Sequence, residues 1–206
     1  MIVHQLTVGQ LQTNCYLAAC ETTREGVIID PGAEPERILA AVRDADLQIR
    51  YILNTHAHFD HIGANEAIQQ TMSVPIALHP DDLPLLRNAG GAAAFGLYAD
   101  VSPEPTMLLS EGQKIEVGTL SFEVLLTPGH TIGHVSFHES AERVVFDGDV
   151  LFDGGIGRTD IPGGDSVSLM RSITDVLFRL TPETVVYPGH GGPTTIGREQ
   201  KSNPWV

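Results

Sequence analysis

Apolar and β-branched runs over residues 2–8, 14–19 and 26–29 predict three short strands, separated by Gly9-Gln10 and the polar stretch 21–25. Asp30-Pro31-Gly32 then breaks the chain, and residues 35–45 carry Ile38, Leu39, Ala41 and Val42 at helical spacing. A buried strand over 49–53 runs straight into Asn54-Thr55-His56. A helix is predicted over 62–72 and a strand over 75–78. Between His79 and Pro105, Pro84, Gly90-Gly91 and Gly96 favour short helices and loop, and the apolar, glycine-rich stretch 89–99 is a candidate contact surface. Strands return over 114–117, 120–126, 134–138 and 143–146, with a turn at Gly118-Thr119. A glycine-rich loop covers 153–165. The helix predicted over 167–180 sets Val167, Met170, Ile173, Val176, Leu177 and Leu180 on one side, and a last strand over 185–187 ends at Pro188-Gly189-His190. Two batches of strands mixed with helices, without an internal repeat, exclude a helical bundle or a pure β-sandwich. They leave a layered α/β protein.

At 206 residues the chain suits one domain over 1–206. Its net charge of −14, from 26 acidic and 12 basic residues with no Lys/Arg cluster, argues against nucleic acid as a partner. No apolar run approaches the roughly 20 residues that span a bilayer, which argues against a membrane protein. The amino terminus lacks the basic and apolar regions of a signal peptide, so a cytoplasmic location is expected. Cys15 and Cys20 match neither a redox nor a zinc-ribbon spacing and read as partly buried strand residues.

The chemistry lies in the histidines. His56, His58, Asp60 and His61 fall together in Thr55-His56-Ala57-His58-Phe59-Asp60-His61, directly after a predicted strand. In locally extended chain His56 and His58 share a side and can grip one cation. Asp60 and His61 stand where a helix begins and can reach a second. Packing such groups together without a cation is costly when they are buried. His130 follows Thr127-Pro128-Gly129, Asp149 follows Phe146-Asp147-Gly148 and His190 follows Tyr187-Pro188-Gly189. The repeated strand–glycine–ligand pattern turns each from a capping residue into a ligand candidate. Histidines with a few carboxylates suit zinc, with iron or manganese chemically compatible.

The set His-x-His-x-Asp-His at 56–61 followed by His130, Asp149 and His190 resembles the metallo-β-lactamase superfamily, and Ile28-Ile29-Asp30-Pro31-Gly32 resembles its first motif. The resemblance spans essentially the whole chain. It implies a four-layer αββα sandwich of two mixed β-sheets with helices on the outer faces, and a site at one edge. It further implies two divalent metal ions: His56, His58 and His130 on one, Asp60, His61 and His190 on the other, Asp149 between them, and Asp60 also orienting the water nucleophile. Asp30 would support the site, and His134, four residues after His130, would orient a ligand unless it is a plain strand residue. With neutral histidines and two carboxylates such a centre stays cationic, lowers the pKa of bound water and polarises a carbonyl.

The superfamily's zinc β-lactamases carry Cys or Ser where this chain has Asp149, so antibiotic hydrolysis is not expected. Its RNA-processing branch usually adds a second domain. The stretches Leu151-Phe152 to Gly164 and Thr194 to Trp205 resemble short bacterial glyoxalase II-like proteins. That likeness implies hydrolysis of a small anionic thioester such as S-lactoylglutathione to a hydroxy acid and a thiol. The C-terminal helical domain that holds glutathione in longer glyoxalase II enzymes has no counterpart here, which leaves the thiol carrier open. Arg158 could supply the missing cation or be a surface arginine in a turn, and Tyr187 could line the pocket or pack in the core. His4, His79 and His138 are expected to be structural or exposed. The nearest alternative is a persulfide dioxygenase, a family using one Fe(II) that resembles this chain in the same metal motif and also in Gly157-Arg158-Thr159-Asp160. A lactonase and a non-enzymatic metal-binding protein are the remaining alternatives, and the oligomeric state is left open.

Overall fold

The computed structural model describes residues 1–206. In the first sheet β1 (Ile2–Val8), β2 (Thr13–Ala19), β3 (Glu25–Ile29), β4 (Gln48–Leu53), β5 (Ile76–Leu78) and β6 (Met107–Leu108) lie side by side in chain order. The first three are antiparallel, and β3 through β6 run parallel. The second sheet takes β7 (Lys114–Val117), β8 (Leu120–Leu126), β9 (Val135–Glu139) and β10 (Val144–Gly148). A small hairpin of β11 (Leu151–Phe152) and β12 (Gly155–Ile156) intervenes before β13 (Val185–Pro188) and β14 (Thr194–Thr195) complete it. The order is β14-β13-β10-β9-β8-β7, parallel only between β10 and β13.

Side-chain alternation along the strands builds the layers. Tyr16 and Ala18 of β2, Val27 and Ile29 of β3, and Val144 and Phe146 of β10 enter the core between the sheets. Their neighbours point the other way. Cys15, Leu17, Ala19 and Ile28 meet Ile38 and Val42 of α1 (Pro35–Asp44) and Ile68 of α3 (Asn65–Met72). Val145 and Val186 meet Leu169 of α5 (Ser166–Arg171) and Ile196 of α6 (Ile196–Ser202). The result is the helix–sheet–sheet–helix sandwich expected. Strands buried on both faces explain why β2 reads as an unbroken rather than alternating run.

Several expectations need correcting. The helix expected over 62–72 is two: α2 (Phe59–Ile62) and α3. Between them Ala64 N–H donates to Pro31 O at 2.9 Å, drawing the backbone onto the loop after β3. The helix expected over 167–180 narrows to α5, then passes through a π-turn over Ser172–Val176 and a 3-10 turn over Leu177–Arg179. The widened turn puts Leu169, Ile173 and Leu177 inward, while Val167 stands 58% exposed. The stretch 79–105 holds α4 (Leu83–Arg87) and 3-10 turns over Pro80–Asp82 and Ala89–Phe95, as short-helix punctuation suggested. Both cysteines are fully buried, Cys15 within β2 and Cys20 just past its end.

Candidate metal centre

Asp30 follows β3, His56 and His58 follow β4, His130 follows β8, Asp149 follows β10 and His190 follows β13. Each of these leaves the C-terminal end of a strand, Asp60 and His61 stand on α2 just beyond β4, and the two sheets present those ends at one edge. Backbone bonds close the seam there: Val135 N–H to Thr55 O (2.8 Å) and Asn14 N–H to Gly189 O (2.7 Å). Loops tied to rigid strand ends hold side chains in fixed places.

Two clusters result. The metal-capable atoms of His56, His58 and His130 lie within 4.8 Å of one another, and so do those of Asp60, His61 and His190. Asp149 stands between them, 3.4 Å from His130 Nε2, 3.6 Å from His61 Nε2 and 3.6 Å from His190 Nε2. A third grouping, Asp30 with His56 and His61, is of another kind. Asp30 Oδ1 already accepts Thr55 N–H, and Oδ2 accepts the Thr55 hydroxyl (2.6 Å) and His61 Nδ1 (3.0 Å). Its lone pairs are committed to holding the site rather than filling it.

The hydrogen bonds on the outer ring nitrogens assign the tautomers. His61 Nδ1–H donates to Asp30 and His130 Nδ1–H to Arg158 O (2.8 Å). His190 Nδ1–H donates to Leu11 O (3.1 Å). The Thr55 hydroxyl gives its proton to Asp30, so it accepts from His56 Nδ1–H at 3.0 Å. Each ring thus turns an Nε2 lone pair inward. His56 Nε2, His61 Nε2, His130 Nε2 and Asp149 Oδ1 are buried with no hydrogen-bond partner. Converging orphaned acceptors of nitrogen and carboxylate type are what a divalent cation fits.

The charge balance agrees. Burial drives His58 down to about 3 and His56 far below its usual range, so both rings are neutral. Burial also opposes charge on His61, yet Asp60, Asp149 and Asp30 outweigh it and lift that ring to about 10. Asp60 resists its own burial through the nearby His61 and hydrogen bonds from His190 and Thr13, which hold it well below the usual carboxylate range. A proton on His61 thus occupies a field suited to a larger cation.

Supporting residues come from far along the chain. His134 Nε2 accepts Asp149 N–H at 3.1 Å and its Nδ1 meets Thr127 Oγ1 at 3.0 Å, so it fixes the Asp149 backbone. Residues unnoticed in the sequence do as much. Asp82 accepts from Ala57 N (2.9 Å), Gly133 N (2.8 Å) and Thr131 Oγ1 (2.8 Å), tying the His58 loop to the His130 loop, and burial raises its pKa. Asn14 Nδ2 holds Pro188 O and Gly191 O on either side of His190, and Thr13 Oγ1 holds Asp60 Oδ2 at 2.8 Å. No local motif marks Asp82 or Asn14; only tertiary distance does.

The substrate candidates fare differently. Arg158 lines a cavity of about 120 Å³ over the cluster, together with Phe95, Leu11, Ile161 and the ligand candidates. Its guanidinium is forked onto Asp160 at 2.8 and 2.9 Å in a solvent-exposed pair. Its carbonyl, on His130, is the part that serves the site. Gly157 explains the neighbouring glycine, because a Cβ there would collide with the Asp149 carbonyl. Tyr187 is not among that cavity's lining residues; it stacks on Phe146 at 5.1 Å in the core between the sheets, where its alternation on β13 sends it. His79 is buried and caps a turn, accepting Asp81 N–H at 3.3 Å.

Residues 8–190 match the family model described as the metallo-beta-lactamase superfamily. The hydroxyacylglutathione hydrolase GloC of Haemophilus influenzae is 38% identical, covering 100% of this chain and 98% of its own. Among solved structures, the BLEG-1 B3 metallo-beta-lactamase superposes with a TM-score of 0.94 at 39% identity, covering 99% of both chains. TTHA1623 in a di-iron-bound form superposes at 0.91 and 44% identity, covering 99% of this chain and 100% of that one. ETHE1 from Myxococcus xanthus gives 0.83 at 35% identity, covering 99% and 84%. With these ligand-type clusters at the edge of this sandwich, the chain belongs to the metallo-β-lactamase superfamily, whose members are generally metal-dependent hydrolases.

Proposed function

We propose that the protein is a binuclear metal-dependent thioester hydrolase of glyoxalase II type, cleaving S-lactoylglutathione or a related acyl thiol. The observation that carries this reading is the pair of ligand clusters with Asp149 between them and their buried Nε2 atoms unpartnered. His56, His58 and His130 would hold one ion, Asp60, His61 and His190 the other, with Asp149 shared; zinc suits this set, and iron does too. Bound there, two divalent ions acidify water and polarise a carbonyl. Asp60, steadied by Thr13, accepts a hydrogen bond and so can orient the attacking water. A thiol leaving group of pKa about 8.5 departs as thiolate without an acid. The cavity over the cluster accordingly offers no proton donor beyond the ligand histidines and Arg158. The relation to GloC points to the same substrate class.

The test is thiol release from S-lactoylglutathione by the metal-loaded protein, with a chelated sample and Asp60→Ala as controls. Rapid release lost in both controls is expected. Ring opening of a β-lactam instead, the activity named for BLEG-1, would overturn the thioester assignment. Oxygen uptake on a persulfide with one iron per chain would replace it by the dioxygenase reading.

A further inference from the structure

Three cavities meet at Leu11, the tip of the β1–β2 turn, which is 47% exposed and whose carbonyl holds His190. The small one lies over the cluster. The other two flank it and differ in chemistry. Beside the cluster, about 270 Å³ is walled by Val8, Ala33, Phe59, Leu97 and Tyr98, with Gln10, Thr13 and Asp60 as its polar members, and contains no Lys or Arg. Beside His190, another 270 Å³ is walled by Thr7, Gln12, Asn14 and the 191 backbone, again with no cation.

A thioester also has two arms, one on each side of its carbonyl, and where the thiol belongs to a polar carrier only the acyl arm can be wholly apolar. We infer that Leu11 sorts these arms: the slot of Val8, Phe59, Leu97 and Tyr98 takes an uncharged, apolar acyl chain, and the polar cavity beside His190 takes the thiol carrier. This rests on the thioester reading and narrows it to acyl groups more apolar than lactoyl. At roughly 30 Å³ per water-sized group the slot holds about nine non-hydrogen atoms. No Lys or Arg lines the two flanking cavities, and the one guanidinium over the cluster, Arg158, is paired with Asp160, so nothing in the slot itself favours a carboxylated acyl group.

The test is calorimetric binding to the full-length protein, with and without zinc, of ketone analogues in which CH2 replaces the thioester sulfur. The acyl chain runs from two to twelve carbons on a neutral N-acetylated carrier. Affinity is expected to rise up to about four-fold per methylene, the value for complete burial, and to stop rising near eight carbons. Leu97→Glu should flatten that rise, whereas Val167→Glu, the same kind of change at an exposed position on α5, should leave it intact. Affinity independent of chain length, or a rise that Leu97→Glu does not alter, overturns the acyl slot. A normal rise in binding without cleavage of the matching thioesters leaves the slot standing and removes the thioester reading.

Discussion

The Asp30 carboxylate lies 3.0 Å from His61 Nδ1 and receives the Thr55 hydroxyl on the same oxygen, so one carboxylate orients rings from both clusters. In Asp30→Asn an amide NH2 or a single carbonyl must face donors on both sides. The His61 and His56 lone pairs then lose their aim. Metal affinity should fall about 10- to 100-fold, as for other ligand-orienting partners. Competition titration against a chromophoric chelator measures it, and an unchanged affinity would remove Asp30 from this role.

Asp82 links the two ligand loops through three donors from Ala57, Thr131 and Gly133. Asp82→Ala leaves them buried without acceptors and should lower unfolding free energy by about 3 kcal/mol. Denaturant melts check this. A loss below about 0.5 kcal/mol, within the range of an ordinary exposed substitution, would contradict the bracing role.

Gly189 sits where a Cβ would strike Asp149 Oδ1 and come within 2.8 Å of His61 Cε1. Gly189→Ala should therefore spoil the Asp60–His61–His190 cluster more than the His56–His58–His130 cluster. Elemental analysis should show roughly half the wild-type metal content in a folded protein. Full occupancy would mean that the centre has more room than this geometry gives it.

The metal-free protein should be most stable near neutral pH. His58, at about 3 when folded, stays neutral while the unfolded ring takes a proton below about 6.5, so stability falls as pH drops through that window; buried His56 and His134 add in the same sense. His61, at about 10 when folded, contributes fully below about 6.5 and loses that contribution as pH rises toward 10. Each proton supplies at most about 1.4 kcal/mol per pH unit. Thermal midpoints of the chelated protein across pH 4–10 should trace a peak, and a monotonic trend would count against these assignments. Metal loading should flatten the alkaline limb, since the ion displaces the His61 proton.

The ligand candidates were legible because strand-end motifs are local: His56, His58, Asp60 and His61 are neighbours, and His130 and His190 each follow a Pro-Gly pair. The layers were legible for the same reason, through alternation and apolar runs. What escaped is what depends on distance along the chain. Asp82 reaches Thr131 and Gly133, and Asn14 reaches Pro188, across separations that no sequence window contains. The two-residue strands β6, β11, β12 and β14 are too short for a period to register. The break between α2 and α3 follows from a bond to Pro31, and of the two places the sequence leaves open for Tyr187, pocket or core, the alternation on β13 selects the core.

The seam at the site edge gives the centre a mechanical meaning. Thr55, Asn14 and their partners Val135 and Gly189 are the stitches by which one sheet reaches the other there, and His190 itself bridges to Thr13. An ion shared between ligand candidates of the two sheets would act as a rivet through that seam. Removing it would loosen one edge of the sandwich while the aromatic core around Tyr16 and Phe146 stayed clamped. The amide protons of Asn14 and Val135 are therefore natural reporters of occupancy, able to register through hydrogen exchange whether the rivet is in place.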